Sequence, residues 1–152
     1  MASLAADAQV EAIDGPNAVG ALEGKSMPIL TRLPNGKIGF RMMGKFAKSA
    51  APAPIVKVTL ENGATVRVGP EQIFFKEGMV ETPASELKAG DPLIPVWHYK
   101  EGYAPPDLPN QRPSDGTLLV AAVADDGEGD VFHAPIRETG IFFLTVGPLC
   151  KA

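Results

Sequence analysis

The chain has 152 residues, with 14 Lys and Arg against 18 Asp and Glu, and this acidic balance excludes the broad basic surface of a nucleic-acid-binding protein. No apolar run is long enough to cross a bilayer as a helix, and the Ala-rich start lacks the basic and apolar regions of a signal peptide. A single cysteine, Cys150, excludes an intrachain disulfide, and two histidines, His98 and His133, with no cysteine partner leave no metal site or cofactor to expect.

A chain of this length fits one domain with a sizeable core, and 16 Gly with 15 Pro favour a turn-rich, all-β architecture. The expected location is the cytoplasm or an intracellularly assembled particle.

Residues 1–20 read as an arm outside the domain. Its one element is a short helix from Leu4 to Ile13, ended by Asp14-Gly15-Pro16. From Ala21 to Met43, Met27, Ile29, Leu30 and Leu33 lead through a Pro34-Asn35-Gly36 turn to Ile38 and Phe40. Lys37, Arg41, Lys45 and Lys48 cluster as a solvated strand edge. Ser49 to Pro54 is a Pro/Ala connector whose prolines cannot donate to a sheet.

The stretch from Ile55 to Pro95 carries the strongest pattern. Val56, Val58 and Leu60 alternate with polar residues, as do Val66 and Val68, and Asn62-Gly63 between them supplies a hairpin turn. A second hairpin runs from Ile73-Phe74-Phe75 to Val80. Thr82 and Pro83 then read as the cap and first position of a two-turn helix that buries Leu87 and stops at Gly90.

Residues 96–116 form a Pro-rich loop that holds Trp97, Tyr99 and Tyr103. These aromatics either close the edge of the core or form a contact surface for a protein partner. Val120, Ile136 and Phe142 join Val56, Val58, Leu60, Val66, Val68, Phe74, Leu87 and Leu93 as the expected core.

The order LENGATVRVGPEQIFF, then ASELKAGDPL, then an apolar strand, an acidic turn, VFH, IFFL and GPLC resembles the blocks of the hedgehog/intein, or Hint, family. The resemblance implies an all-β, pseudo-two-fold Hint fold with long curved hairpins over residues 21–152. The family opens with a nucleophilic Cys or Ser followed by a loop of the form x-x-G-D-T-x-V. Setting Gly24 and Ser26 on its glycine and threonine puts Ala21 on the nucleophile. A slipped register starts instead at Ser26, with Thr31 as the following threonine. The family's central His falls on Gln72 and its Thr on Gly69. Its late His falls on Gly140, its penultimate His on Lys151 and its terminal Asn on Ala152, while His133 takes the place of an acidic residue.

Splicing in the family needs a hydroxyl or thiol to attack its preceding carbonyl, a His to protonate the departing amide, and a terminal Asn to cyclise. The vacated positions Ala21, Gln72, Gly140, Lys151 and Ala152 should gather in one depression, with Ser26 as the fallback nucleophile. Loss of all of them together fits natural degeneracy better than deliberate removal of the first and last groups, which would leave the histidines in place. The expectation is a non-catalytic structural or protein-interaction module, such as a small subunit of a larger assembly like a virion. It would contact protein partners through the arm and the 96–116 loop, with neither nucleic acid nor membrane. The alternative is an autoprocessing domain, inactive through loss of its nucleophile and terminal Asn.

Overall fold

A computed structural model describes residues 3–35, 37–95 and 118–152. Among the described residues fourteen strands follow in chain order: β1 Leu4–Ala5, β2 Gln9–Ala12, β3 Gly15–Ala18, β4 Met27–Arg32, β5 Ile38–Met43, β6 Ala47–Lys48, β7 Ala53–Leu60, β8 Thr65–Val68, β9 Ile73–Lys76, β10 Val80–Pro83, β11 Val120–Gly129, β12 Val131–His133, β13 Ile141–Phe143 and β14 Leu149–Lys151. They form three antiparallel sheets, ordered β11-β7-β8-β1-β12-β6, β10-β9-β14-β13 and β3-β2-β4-β5. Single turns of 3-10 helix, Val19–Leu22 and Ala84–Glu86, are the helical structure of the described residues.

The hairpin β7–β8 forms as its alternation requires, with Val56 opposite Val68 and Val58 opposite Val66. Gly63 turns the chain at φ +88°, a backbone angle that a side chain would strain. The Asn62 side chain accepts the Ala64 N–H at 2.9 Å. On the other side of β7 lies β11, paired from Val120 opposite Leu60 to Gly129 opposite Ala53, with register shifts after Val120 and after Asp125 that bend this long ribbon. All eleven residues expected in the core are buried.

Two expectations change. Residues 3–18 are not a helical arm but contribute β1, β2 and β3 to the sheets. Leu4 pairs with Phe132 on one side and Val68 on the other, so β1 is an interior strand of the six-stranded sheet. Val10 and Ala12 are buried while Gln9 is exposed and Glu11 half-buried, a period of two that outweighs the helix propensity of alanine because each turned-in side chain gains a core contact. The 3-10 turn that follows is tied back to this segment by Val19 N–H to Ala8 O at 2.9 Å and Gly20 N–H to Ala6 O at 3.0 Å.

The second change concerns residues 82–90. Pro83 ends β10 opposite Ile73, and Thr82 bonds back to the Val80 carbonyl instead of capping a helix. Only Ala84–Glu86 turns, with no side-chain cap. Leu87 is buried all the same.

Candidate functional site

The site is assembled where β1, the turn entering β9, and β14 meet. Gln72 precedes β9 and is completely buried. Its carbonyl Oε1 accepts the Ser3 N–H at 2.5 Å. Its amide Nε2 donates to the Lys151 carbonyl at 2.9 Å and to its neighbour Ile73 O at 3.1 Å. This arrangement fixes the orientation of the amide: reversing it would set an N–H against the Ser3 N–H and an oxygen against two carbonyls. One side chain thus joins the first described residue to the last strand.

Ser3 is buried, and its Oγ has no hydrogen-bond partner among the described residues. The space for it comes from Gly69, whose N–H donates to Ser3 O at 2.8 Å. A Cβ on Gly69 would lie 2.1 Å from Ser3 Oγ and 2.7 Å from Glu71 Oε1, so a bare Cα is what lets the hydroxyl fit. The exposed carboxylate of Glu71 reaches the same bare face of Gly69. On the far side, Ala152 N–H donates to Gly140 O at 2.9 Å, bringing Gly140 to the end of β14.

Four of the five expected positions are therefore linked: Gln72 to Lys151, and Ala152 to Gly140. Ala21 is not among them. It stands exposed on the 3-10 turn Val19–Leu22, tied to Ala6 and Ala8 and not to β14. Ser26, the fallback, is exposed before β4. The place at Gln72 is held by Ser3. Its sequence signal is the opening pattern itself, since Asp7 and Val10 stand four and seven residues after Ser3, as the D and V of x-x-G-D-T-x-V require. Reading residues 1–20 as an arm hides this register.

The chemistry available is narrow. A side-chain amide holds a fixed hydrogen-bond geometry but neither takes up nor releases a proton near neutral pH. Cys150, next to Lys151, is fully buried, and burial pushes its thiol well above the ordinary value, which keeps it protonated and unreactive. Its Sγ faces Pro148 O. His133 lies on β12 opposite Ala47, in a sheet apart from β14 and β9. Among the described residues no group of His, Cys, Asp and Glu is placed to hold a metal ion. Arg67 sits nearby as a brace, bonding Asp126 of β11 at 2.6 Å and Asp7 at 3.4 Å. Its ordinary pKa is raised, first by the Asp126 bond. Trp97, Tyr99 and Tyr103 lie outside the described residues.

No protein-family model and no curated protein sequence matches the chain. Solved structures do. The architecture, with its first strand and last strand joined at the centre, is the Hint fold of inteins. The chain is similar to the crystal structure of the Ssp DnaB mini-intein variant M86 (TM-score 0.79, 12% identity, 99% of this chain and 92% of that one). It is similar also to a bacterial intein-like domain from Clostridium thermocellum (TM-score 0.76, 12% identity, 100% and 99%) and to the gp41-1 intein (TM-score 0.68, 17% identity, 100% and 99%). These matches take in the first twenty residues, in keeping with their place in the sheets.

Proposed function

We propose that this chain is a Hint-fold module that serves as a structural or protein-interaction part of a larger assembly, such as a virion, and does not splice. One observation carries this reading: where splicing needs a residue that gives a proton to a departing amide, Gln72 accepts the Ser3 N–H with one end of its amide and donates to the Lys151 carbonyl with the other. An amide at the proton donor's place instead clasps the start of β1 to the end of β14. Ala152 adds to this, because a methyl cannot cyclise on its own carbonyl to release a downstream chain. Protein partners would be met by the loop around Trp97, Tyr99 and Tyr103. Residues 4–18 supply β1, β2 and β3 to the sheets.

The test is to fuse reporter domains before residue 1 and after residue 152 and follow intact mass with and without thiol or hydroxylamine. An unchanged fusion supports the reading, and ligated reporters would overturn it.

A second reading rests on a different observation, the buried and unpartnered Ser3 Oγ. A hydroxyl held just before β1, with its own N–H bonded to Gln72 and the Glu71 carboxylate on the same bare face of Gly69, would attack the preceding Ala2 carbonyl. The Ser3 hydroxyl proton would pass to Glu71 and from it to the Ser3 nitrogen as the Ala2–Ser3 C–N bond breaks, leaving Ala2 as an ester on Ser3 Oγ and Ser3 with a free amine. Hydroxylamine would then cut the fusion between Ala2 and Ser3 and nowhere else, and Glu71→Gln would abolish the cut.

A further inference from the structure

Beside the turn that follows Gly69, the β7–β11 ribbon opens into a groove of about 530 Å³. Its apolar lining comes from Pro54 and Val56 on β7, Val123 on β11 and Leu87 just past the 3-10 turn Ala84–Glu86. Pro70 lines it too, and is tied to that turn by the Ser85 N–H, which donates to Pro70 O at 3.0 Å. Two exposed carboxylates, Asp125 and Glu128, complete the lining.

A regular strand would not put both carboxylates there, because residues three apart on an unbroken strand point to opposite faces. Asp125 lies opposite Val56 and Glu128 opposite Pro54, so β11 takes three steps where β7 takes two. The extra residue makes a bulge, and Gly127 within it has φ +78°. Val56 and Pro54 are two apart and share a face, and each carboxylate points the same way as the residue opposite it. Both acids thus reach the apolar side of the groove.

The cations of the ribbon lie on its reverse. Lys57 is opposite Ala124 and Arg67 is opposite Lys57, one residue out of step with Val56. Arg67 is also engaged there, by Asp126 at 2.6 Å and Asp7 at 3.4 Å. Among the described residues no basic side chain lines the groove, and neither Asp125 nor Glu128 has a cation within ion-pair distance. On the wall segments, exposed Glu71 and Glu86 add negative charge and Lys88 is the single cation.

An apolar floor flanked by two carboxylates is complementary to a cation carried on an aliphatic stem. A metal ion fits less well, since among the described residues these two acids have no third His, Cys, Asp or Glu to complete a metal group. A second copy on a two-fold axis would set the acidic patch against itself. Arginine suits the groove better than lysine, because its planar guanidinium offers five N–H donors, enough for both carboxylates and the exposed Ser85 hydroxyl.

We infer that this groove takes the side chain of an arginine on an extended segment of a partner protein. Its methylenes would lie on Val56, Val123 and Leu87, and its guanidinium would pair with Asp125 and Glu128. The inference rests on the reading of the chain as an interaction module and names the chemistry of one partner contact. The reporter fusions test that reading separately, because a fusion that splices while the peptide below still binds would sink the function and spare the groove.

The probe is a blocked glycine–arginine–glycine peptide, set beside the same peptide with citrulline, which keeps the shape and lacks the charge. Titrated into isotope-labelled protein, the arginine peptide should shift the amides of Val123 to Glu128 and of Ser85 to Leu87. It should bind at least about tenfold tighter than the citrulline peptide at low salt, with the gap narrowing as salt is added. A third peptide, with its guanidinium on a one-carbon side chain, should bind about tenfold more weakly than arginine because it leaves the apolar floor uncovered. Asp125→Asn with Glu128→Gln should erase the gap between arginine and citrulline while the melting temperature holds, since both side chains are exposed. No shift in these amides, arginine binding no tighter than either of the other peptides, or a gap that survives the double substitution overturns the proposal. So does calcium ion that moves the same amides at lower concentration than the peptide, which would give the carboxylates to a metal. A dimer seen by light scattering that the double substitution dissolves would give the groove to a second copy and overturn it as well.

Discussion

The fit of Ser3 against Gly69 can be tested by putting back the missing carbon. In Gly69→Ala the new Cβ meets Ser3 Oγ at 2.1 Å and Ser3 Cβ at 3.0 Å, both on a buried residue, while the Glu71 carboxylate at 2.7 Å is the free end of an exposed side chain and can swing away. Overpacking of this kind costs about 1–3 kcal/mol. Replacing a glycine also removes freedom from the unfolded chain, which returns about 0.4–1 kcal/mol. The net expectation is a loss of up to about 2.5 kcal/mol, centred near 1. Ser3→Ala alone should be neutral or stabilising, because it removes a buried hydroxyl without a partner. In the double variant the shortest contact is gone, so the penalty of Gly69→Ala should shrink by about 1 kcal/mol, a coupling well within reach of a double-mutant cycle. Urea unfolding of the four proteins gives the values, provided the slope with denaturant stays constant. If Gly69→Ala costs the same with and without the Ser3 hydroxyl, the two groups are not in contact and the site has been assembled wrongly.

Gln72→Leu leaves the Ser3 N–H and the Lys151 carbonyl without their partner in a buried place, and should cost about 2–4 kcal/mol with faster amide exchange in β14 and β1, read by mass spectrometry. Leu4→Ala should destabilise by about 2–5 kcal/mol in the same urea assay, and a chain beginning at Val19 should fail to fold, since Leu4 is wholly buried between Val68 and Phe132. A removable arm would give no effect in either case. For pH, burial raises the Cys150 thiol above its ordinary 9.0, so the folded protein keeps a proton that the unfolded chain gives up. Stability should therefore be steady below that value and fall as pH rises through it, by up to about 1.4 kcal/mol per unit. Cys150→Ala should lack that part of the slope. Trp97→Ala should weaken partner retention by about 2 kcal/mol with little change in melting temperature if that side chain anchors a contact.

The central hairpins are readable because their information is local. Val56 to Val68 alternates without a break, Asn62-Gly63 closes the turn, and each strand pairs with its neighbour in sequence. What could not be read is β1, a strand of two residues whose partners lie at Val68 and Phe132. No period shows in two residues, so Ala-rich propensity fills the gap with a helix and carries the whole N-terminal register with it. The site suffers accordingly. Gln72, Gly140, Lys151 and Ala152 can be found from block spacing, whereas Ser3 needs the knowledge that Asp7 and Val10 belong to the opening block. The helix expected after Thr82 fails for a related reason: the cap signals are present, but the pairing of Pro83 with Ile73 uses the backbone first.

The clasp at Gln72 also sets how the molecule would answer to force. A pull on the two ends of the chain is applied at Ser3 and Ala152, on either side of one amide side chain. β1 offers only two paired residues behind it and β14 only three. Load would reach the two bonds of Gln72 first and then the short strands behind them. A domain held in a larger chain by both ends would yield there at low tension, opening its centre while most of its sheet stayed folded.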